Sequence, residues 1–260
     1  MQRLPQACLI LASLFFILEG IYVKLKPEEL RLYAVTDRAW TEGTEGVCRQ
    51  VEAAVRGGAT FVQLREKHLE HDEFLAEARA VAALCRALGV KCVINDDVDI
   101  AVESGADGVH VGQEDLEASL ARERLGPGKI IGVSAHNAAE ARRAEAAGAD
   151  YIGSGAAFAT STKETAAPIG PEGLRAVVEA VSIPVVAIGG ISRENIGRLE
   201  GLGLAGVAVV SALFAAPDVE AAARELSELA GRLELSKKRR IGGTTLRRYI
   251  KAMLERKDLL

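Results

Sequence analysis

The chain is poor in the residues that mark several common kinds of chemistry. Its 4 cysteines, Cys8, Cys48, Cys85 and Cys92, include no C-x-x-C pair, so neither a zinc ribbon nor a dithiol redox centre is written into it. Cys48, Cys85 and Cys92 fall among helix- and strand-like residues and read as small buried apolar groups, a usage that fits a reducing cytoplasm. The 4 histidines, His68, His71, His110 and His136, show no H-E-x-x-H or other ligand spacing. Proline is scarce, 7 residues against 26 glycines, which points to tight turns rather than extended linkers. No single sign of charge dominates. With a formal net charge of −4 nothing draws the whole molecule to nucleic acid or anionic lipid, and a negatively charged ligand has to be caught by local cations. Hydrophobic residues, at 49%, suffice for a large core.

No long apolar run is intact either. Leu9 to Leu18 is strongly apolar, but Glu19 and Gly20 interrupt it before Ile21, Tyr22 and Val23, and a bilayer span needs about 20 apolar residues. Residues 1–26 are therefore read as an apolar leader: an extension, an extra packing helix or a misassigned start. A membrane anchor and a signal peptide are the alternatives, the latter with Arg3 as a thin positive region and no small-x-small cleavage site. A single catalytic domain is expected over 27–233, in the cytoplasm. After Leu233 the chain turns basic, through Lys237-Lys238-Arg239-Arg240 to Arg247, Arg248 and Lys251, with Leu246, Ile250 and Leu254 at helical spacing. Residues 234–260 read as a solvated tail, with a contact to a partner or an anionic surface as the alternative.

Between these ends the sequence repeats a short apolar run, a polar turn and an amphipathic stretch. Strands are expected at Leu32–Val35, Phe61–Leu64, 92–94, Gly108–Val111, 130–133, 151–153, Val185–Ile188 and 206–210. They are apolar without alternation, as parallel strands covered on both faces are. Segments of helical period lie between them, among them 72–88, 138–147, 171–181 and 219–233. Gly58-Ala59-Thr60, Gly105-Ala106-Asp107 and Gly148-Ala149-Asp150, with the looser Gly203-Leu204-Ala205-Gly206, punctuate the returns from helix to strand. Eight such units specify a (β/α)8 barrel, the TIM fold. An open doubly wound sheet would carry a G-x-G-x-x-G turn after its first strand, where this chain has Thr36-Asp37-Arg38-Ala39-Trp40.

In such a barrel the working face is the C-terminal ends of the strands. Gln63, Arg65 and Lys67 alternate at the end of the second strand, so all three are expected on one side. Two cations and an amide suit a ligand that combines phosphate charge with a hydrogen-bonding ring; the competing reading is a salt-bridged strand end with Glu66 and Glu70 as partners. Asn95, Asp96 and Asp115 offer oxygen ligands from neighbouring strand ends, a pattern suited to Mg²⁺ held with a phosphate-bearing ligand. Asp96 or Asp97 could instead cap the helix that follows. Gly189-Gly190 after strand seven and Val210-Ser211 after strand eight match the barrel phosphate site, where backbone N–H groups hold an anion. Two separate anion sites on one face suggest the joining of two phosphorylated molecules.

Six motifs carry a resemblance: Gln63-Leu64-Arg65-Glu66-Lys67, Asn95-Asp96-Asp97, Gly112-Gln113-Glu114-Asp115, Gly132-Val133-Ser134-Ala135-His136, Thr160-Ser161-Thr162-Lys163 and Ile188-Gly189-Gly190-Ile191. In type and order they resemble the thiamine-phosphate synthase family, over about Leu30 to Leu233, and Tyr33-Ala34-Val35-Thr36-Asp37 resembles its first strand. The resemblance implies a transferase that joins hydroxymethylpyrimidine pyrophosphate to a thiazole phosphate, in plain or carboxylated form, and releases pyrophosphate. It implies that Gln63 binds the aminopyrimidine, that Arg65, Lys67, Asn95 and Lys163 hold the pyrophosphate, and that Ser134 assists on the pyrimidine substrate. Arg65, Lys67 and Lys163 would be the catalytic cations, and Asp96 and Asp115 would bind Mg²⁺. Thr160, Thr162, Gly190, Val210 and Ser211 would hold the thiazole phosphate. The expected partners are these small molecules, with no nucleic acid and no membrane; a homo-oligomer stays open.

The family's strand-six loop carries prolines where this chain has Ala156 and Ala159, which implies a more flexible thiazole-phosphate clamp. The nearest rival is a thiazole tautomerase-like barrel, which would not need the full pyrophosphate and metal set. A non-catalytic precursor-binding regulator would leave Asp96 and Asp115 without a purpose. A sugar-phosphate isomerase would want a general acid/base pair in place of a cation cluster.

Overall fold

The computed structural model describes residues 25–112, 118–160 and 168–238, with 234–238 traced by backbone alone. Eight strands form its frame: β1 (Leu32–Val35), β2 (Phe61–Leu64), β3 (Lys91–Asn95), β4 (Gly108–Val111), β5 (Ile130–Ala135), β6 (Tyr151–Gly155), β7 (Val185–Ile188) and β8 (Gly206–Val209). Each pairs in parallel with the next, and Leu32 of β1 lies opposite Val207 of β8, which closes the sheet into a barrel. The helices are α1 (Gly43–Arg56), α2 (His71–Leu88), α3 (Val98–Ser104), α4 (Ala118–Leu125), α5 (Ala138–Ala146), α6 (Gly170–Ala180), α7 (Ser211–Phe214) and α8 (Val219–Lys238). The fold is the (β/α)8 barrel that the sequence specifies.

Four expected strands match residue for residue, and β3, β5 and β6 run on past the expected ends by one or two residues. Those added residues, Asn95, Ser134-Ala135 and Ser154-Gly155, include polar groups and glycine, which hydropathy does not score as strand. After β7 the connection holds only a short 3-10 helix, Ile196–Leu199. Glycine at 197, 201 and 203 makes a regular α-helix costly there. At the returns to β2, β4, β6 and β8, Gly58, Gly105, Gly148 and Gly203 have φ of 111°, 72°, 95° and 84°, the left-handed geometry that ends a helix and that side-chain-bearing residues rarely adopt.

Side chains alternate across the strands and build two cores. The larger lies between the strands and the helices, with Leu32, Val62, Leu64, Ile94, Ile131 and Ile152 facing outward onto them. Cys85 and Cys92 are buried, as expected, while Cys48 on α1 is only half-buried. The smaller core fills the lumen: Tyr33, Phe61 and Tyr151 stack edge-to-face with ring centroids 4.7 to 6.0 Å apart, and Leu25 and Leu30 join it from before β1.

Residues 1–24 of the leader and 239–260 of the basic tail lie outside the described residues, although α8 itself runs past Leu233 to Lys238. Among the described residues no helix is long and apolar enough to cross a membrane.

Candidate active site

The strand ends carry the polar groups singled out above, and for the described ones the local backbone shows how they are held. β2 stops at Leu64, so the alternation expected of Gln63, Arg65 and Lys67 does not continue through the last two. Gln63 points into the lumen, almost fully buried, and its amide Nε2 donates to the Tyr33 hydroxyl at 2.6 Å. The Arg65 N–H donates to Thr36 Oγ1 at 2.9 Å, and its guanidinium reaches Asp37, 3.4 Å away beyond β1. Lys67 turns the other way, to Asp96 beyond β3, with Nζ 2.7 Å from Oδ2. The two cations therefore straddle the end of β2, one leaning on each neighbouring strand.

Glu66 and Glu70 are not their partners. Glu66 faces the helix side and pairs with Arg38 at 3.1 Å, whose other arm reaches Glu77 at 2.6 Å. The Glu77 side chain is fully buried and also accepts from Thr44 Oγ1. Burial pushes the Glu66 carboxyl above its ordinary value, Arg38 pulls it down, and Glu77 raises it further. This Glu66–Arg38–Glu77 cluster fastens the turn after β2 to α2 and leaves Arg65 and Lys67 to the mouth.

Asp96 has φ +65°, the one positive value among the described non-glycine residues. Asp tolerates the left-handed region better than most residues, at a small cost in strain. Its N–H donates to the His110 carbonyl across on β4, and its Oδ2 accepts from both Lys67 and, at 2.5 Å, Asn95 Nδ2. Asp97, next in sequence, is the helix cap: its Oδ1 accepts from the Ile100 N–H at the start of α3. The alternative readings of the acidic pair are thus divided between its members, with Asp97 ending in the helix and Asp96 at the mouth.

Ser134, on the lumen side of β5, lies 3.0 Å from His110 Nε2. Gly189 and Gly190 turn the chain after β7 with φ of 96° and 64°. A Cβ on Gly190 would come 2.3 Å from the Ala159 carbonyl oxygen, so only glycine allows the β6 and β7 loops to approach this closely. Asn195 Nδ2 donates to the Gly190 carbonyl and holds the turn. Val210 precedes α7, and Ser211 opens it. In the β6 loop, Ala156 and Ala157 are buried, and the N–H groups of Ala157 and Phe158 donate to the carbonyls of Ile188 and Gly189. Thr160 closes the described part of that loop. Asp115, Thr162 and Lys163 lie outside the described residues.

Among the described residues no group of three or more His, Cys, Asp and Glu side chains could hold a metal ion. Mg²⁺ does not need one, because it is commonly bound through one or two carboxylates, waters and the phosphates of a substrate. Asp96 suits that style of binding: its carboxylate is one-third exposed at the mouth, and both Lys67 and Asn95 bond to the same oxygen.

The polar file across the lumen, Tyr33, Tyr151 and His110 between Gln63 and Ser134, was not found by sequence reasoning. A tyrosine in place of an aliphatic residue on β1 and again on β6 was the available signal.

Residues 32–213 match the family model described as thiamine monophosphate synthase. The thiamine-phosphate synthase of Chloroflexus aurantiacus is 51% identical over 200 residues, 76% of this chain and 92% of that protein. The probable chloroplastic thiamine biosynthetic bifunctional enzyme of rice, Oryza sativa, is 50% identical over 214 residues. That match takes in 81% of this chain but 39% of the longer rice protein. Among solved structures, thiamine phosphate pyrophosphorylase from Pyrococcus furiosus superposes with a TM-score of 0.73 at 39% identity, covering 80% of this chain and 98% of that one.

Proposed function

The chain belongs to the thiamine monophosphate synthase family of transferases, and from that premise we propose that it condenses hydroxymethylpyrimidine pyrophosphate with a thiazole phosphate to give thiamine phosphate and pyrophosphate, with carbon dioxide released as well where the thiazole is carboxylated. The observation that carries the reading is the split at the end of β2. A neutral amide, Gln63, is turned into the lumen, while two cations, Arg65 and Lys67, sit at the rim on either side of it. That arrangement suits a substrate with an uncharged hydrogen-bonding ring at one end and a diphosphate at the other.

In this reading Gln63 and Ser134 orient the pyrimidine, and Arg65, Lys67, Asn95 and Lys163 receive the diphosphate. The methylene–oxygen bond ionises, because the electron-rich ring supports the positive charge left on carbon; the thiazole nitrogen then forms the new bond. No protein nucleophile is required. What the rim must do is hold the departing negative charge with groups already in place, each worth about 3 kcal/mol of barrier, or about 10²-fold in rate. Mg²⁺, held by Asp96 with Asp115, would add charge to the same leaving group. Thr160, Thr162, Gly190, Val210 and Ser211 would seat the thiazole phosphate, with the Gly189-Gly190 turn supplying backbone N–H groups. The barrel over 27–233 is assigned all of this work, in a cytoplasmic setting, with residues 1–26 and 234–260 outside it.

Purified protein given both phosphorylated precursors and Mg²⁺ should form thiamine phosphate and pyrophosphate in equal amounts. Conversion of the thiazole without pyrophosphate release would instead make the chain a tautomerase, and binding without turnover a regulator.

A further inference from the structure

Inside the barrel five polar side chains form one unbroken file of hydrogen bonds. Gln63 Nε2 donates to Tyr33 Oη at 2.6 Å, and the Tyr33 and Tyr151 hydroxyls meet at 2.8 Å. The Tyr151 hydroxyl meets His110 Nδ1 at 2.9 Å, and His110 Nε2 meets Ser134 Oγ at 3.0 Å. The two ends are the residues proposed for the pyrimidine. The three in the middle, drawn from β1, β6 and β4, have no part in the function described so far.

The file is built into the walls. A Cβ on Gly132 would lie 2.2 Å from Tyr151 Cζ and 2.5 Å from His110 Nδ1, and one on Gly153 would lie 2.9 Å from His110 Cε1. The strands are cut back to glycine where the phenol and imidazole rings sit. A barrel lumen is usually filled with branched aliphatic side chains, and polar groups replace them without penalty only when every proton has an acceptor.

With the Gln63 nitrogen facing Tyr33, placing the protons gives the file a direction. The amide nitrogen of Gln63 only donates, so the Tyr33 oxygen accepts from it. The Tyr33 proton then goes to the Tyr151 oxygen, and the Tyr151 proton to His110 Nδ1. His110 is thereby the Nε2–H tautomer and donates to Ser134 Oγ. The reverse order is satisfied only if the Gln63 amide also turns its carbonyl inward, so the direction of the file and the orientation of that amide are one choice, and here the nitrogen faces Tyr33. Burial holds both phenols far above their ordinary ionisation range, so the file carries neutral hydroxyls at working pH.

We infer that Tyr33, Tyr151 and His110 form a relay whose proton order is tied to the Gln63 amide: with the proton of His110 on Nε2 the amide keeps its nitrogen inward and its carbonyl oxygen towards the ligand, which selects a ring that presents a hydrogen-bond donor, such as an exocyclic amine, over one that presents an oxo group. The choice of ligand rests on the function proposed above; the direction of the relay does not. Tyr151 is a positioning residue that acts through Tyr33. In Tyr151→Phe the Tyr33 proton loses its acceptor, and the remaining partner, Gln63, must turn its carbonyl inward to take it. The amide nitrogen then faces the ligand.

Two measurements test this. Nitrogen-15 NMR of histidine-labelled wild-type protein at neutral pH should show His110 protonated on Nε2 and bare on Nδ1; an Nδ1–H tautomer overturns the relay whatever the enzyme makes. Calorimetric titration with the amino and oxo forms of hydroxymethylpyrimidine diphosphate should show wild type preferring the amino ring, and Tyr151→Phe losing that preference at least tenfold. If the variant weakens both rings equally, Tyr151 is only structural and the inference fails. A wild type that shows the expected tautomer and preference but forms no thiamine phosphate sinks the coupling reaction and leaves the relay standing. Failure to bind either ring overturns both.

Discussion

Asp96→Asn separates what Asp96 does for the fold from what it does for chemistry. The residue sits at φ +65°, and asparagine occupies that region as readily as aspartate, so the backbone cost is unchanged. The amide oxygen can still accept from Lys67 and Asn95, which now bond to Asp96 Oδ2. What disappears is the charge pairing with Lys67, and both side chains are substantially exposed, at 44% and 33%. Such a pair contributes about 0–1 kcal/mol, which in a domain of this size moves Tm by at most about 2–4 °C. The proposed chemistry loses a Mg²⁺ ligand, so turnover should fall about 10²-fold or more. A thermal melt and a pyrophosphate-release assay at saturating Mg²⁺ check both halves. Turnover within threefold of wild type, or a Tm lowered by more than about 10 °C, would refute the assignment of Asp96 to the site rather than to the fold. The neighbour gives the contrast: Asp97→Ala removes the α3 cap and should cost about 1 kcal/mol of stability with activity retained in the surviving fold.

Gly190→Ala places a methyl against the Ala159 carbonyl at a positive φ, so it should raise the thiazole-phosphate KM and cost about 1–3 kcal/mol of stability; a normal KM would remove the turn from the phosphate site. Joining Ala156→Pro to Ala159→Pro should lower that same KM, and since Ala157 and Phe158 are already fastened to the β7 turn, an unchanged value would mean the clamp was stiff without proline. Glu66, raised above its usual 4.5 by burial against the pull of Arg38, takes up its proton at higher pH folded than unfolded. Its contribution therefore weakens as pH rises from its ordinary value through the folded one. The Tm of wild type relative to Glu66→Gln should fall as pH is raised through that window, and a flat difference would show that Arg38 cancels the burial.

The barrel was legible because it is written locally. Apolar runs give strands, helical periods give the outer layer, and glycine after each helix marks the return, all within about 25 residues of chain per unit. The position of the rim was legible at one remove: taking the C-terminal strand ends as the working face picks out Arg65, Lys67, Asn95 and Asp96 as candidates without knowing where they point. Their directions were not legible. Lys67 meets Asp96 across 29 positions, and Arg38 meets Glu77 across 39. A charge run such as Arg65-Glu66-Lys67 cannot show that its glutamate turns outward while its cations stay at the mouth. Nor could the sequence decide between Asp96 and Asp97, since both residue types cap helices well; the backbone angle at Asp96 divides the roles.

The lumen file was the least legible part, because Tyr33 and Tyr151 lie 118 positions apart and each alone looks like ordinary core. Yet under the proposed coupling reaction the two halves of the mouth would answer one chemical problem. Ionisation of a carbon–diphosphate bond needs fixed positive charge where the diphosphate leaves and none beside the ring, where it would oppose the carbocation. The charged groups stand at the water-facing rim, on Arg65, Lys67 and Asp96, where their hydration need not be given up. Beneath them Gln63, Tyr33 and Tyr151 supply polarity without charge, in a lumen where an unpaired ion would be far costlier than a hydrogen bond. The closed sheet makes that division available, since the same strands that end in charge at the mouth turn neutral side chains inward one or two residues earlier.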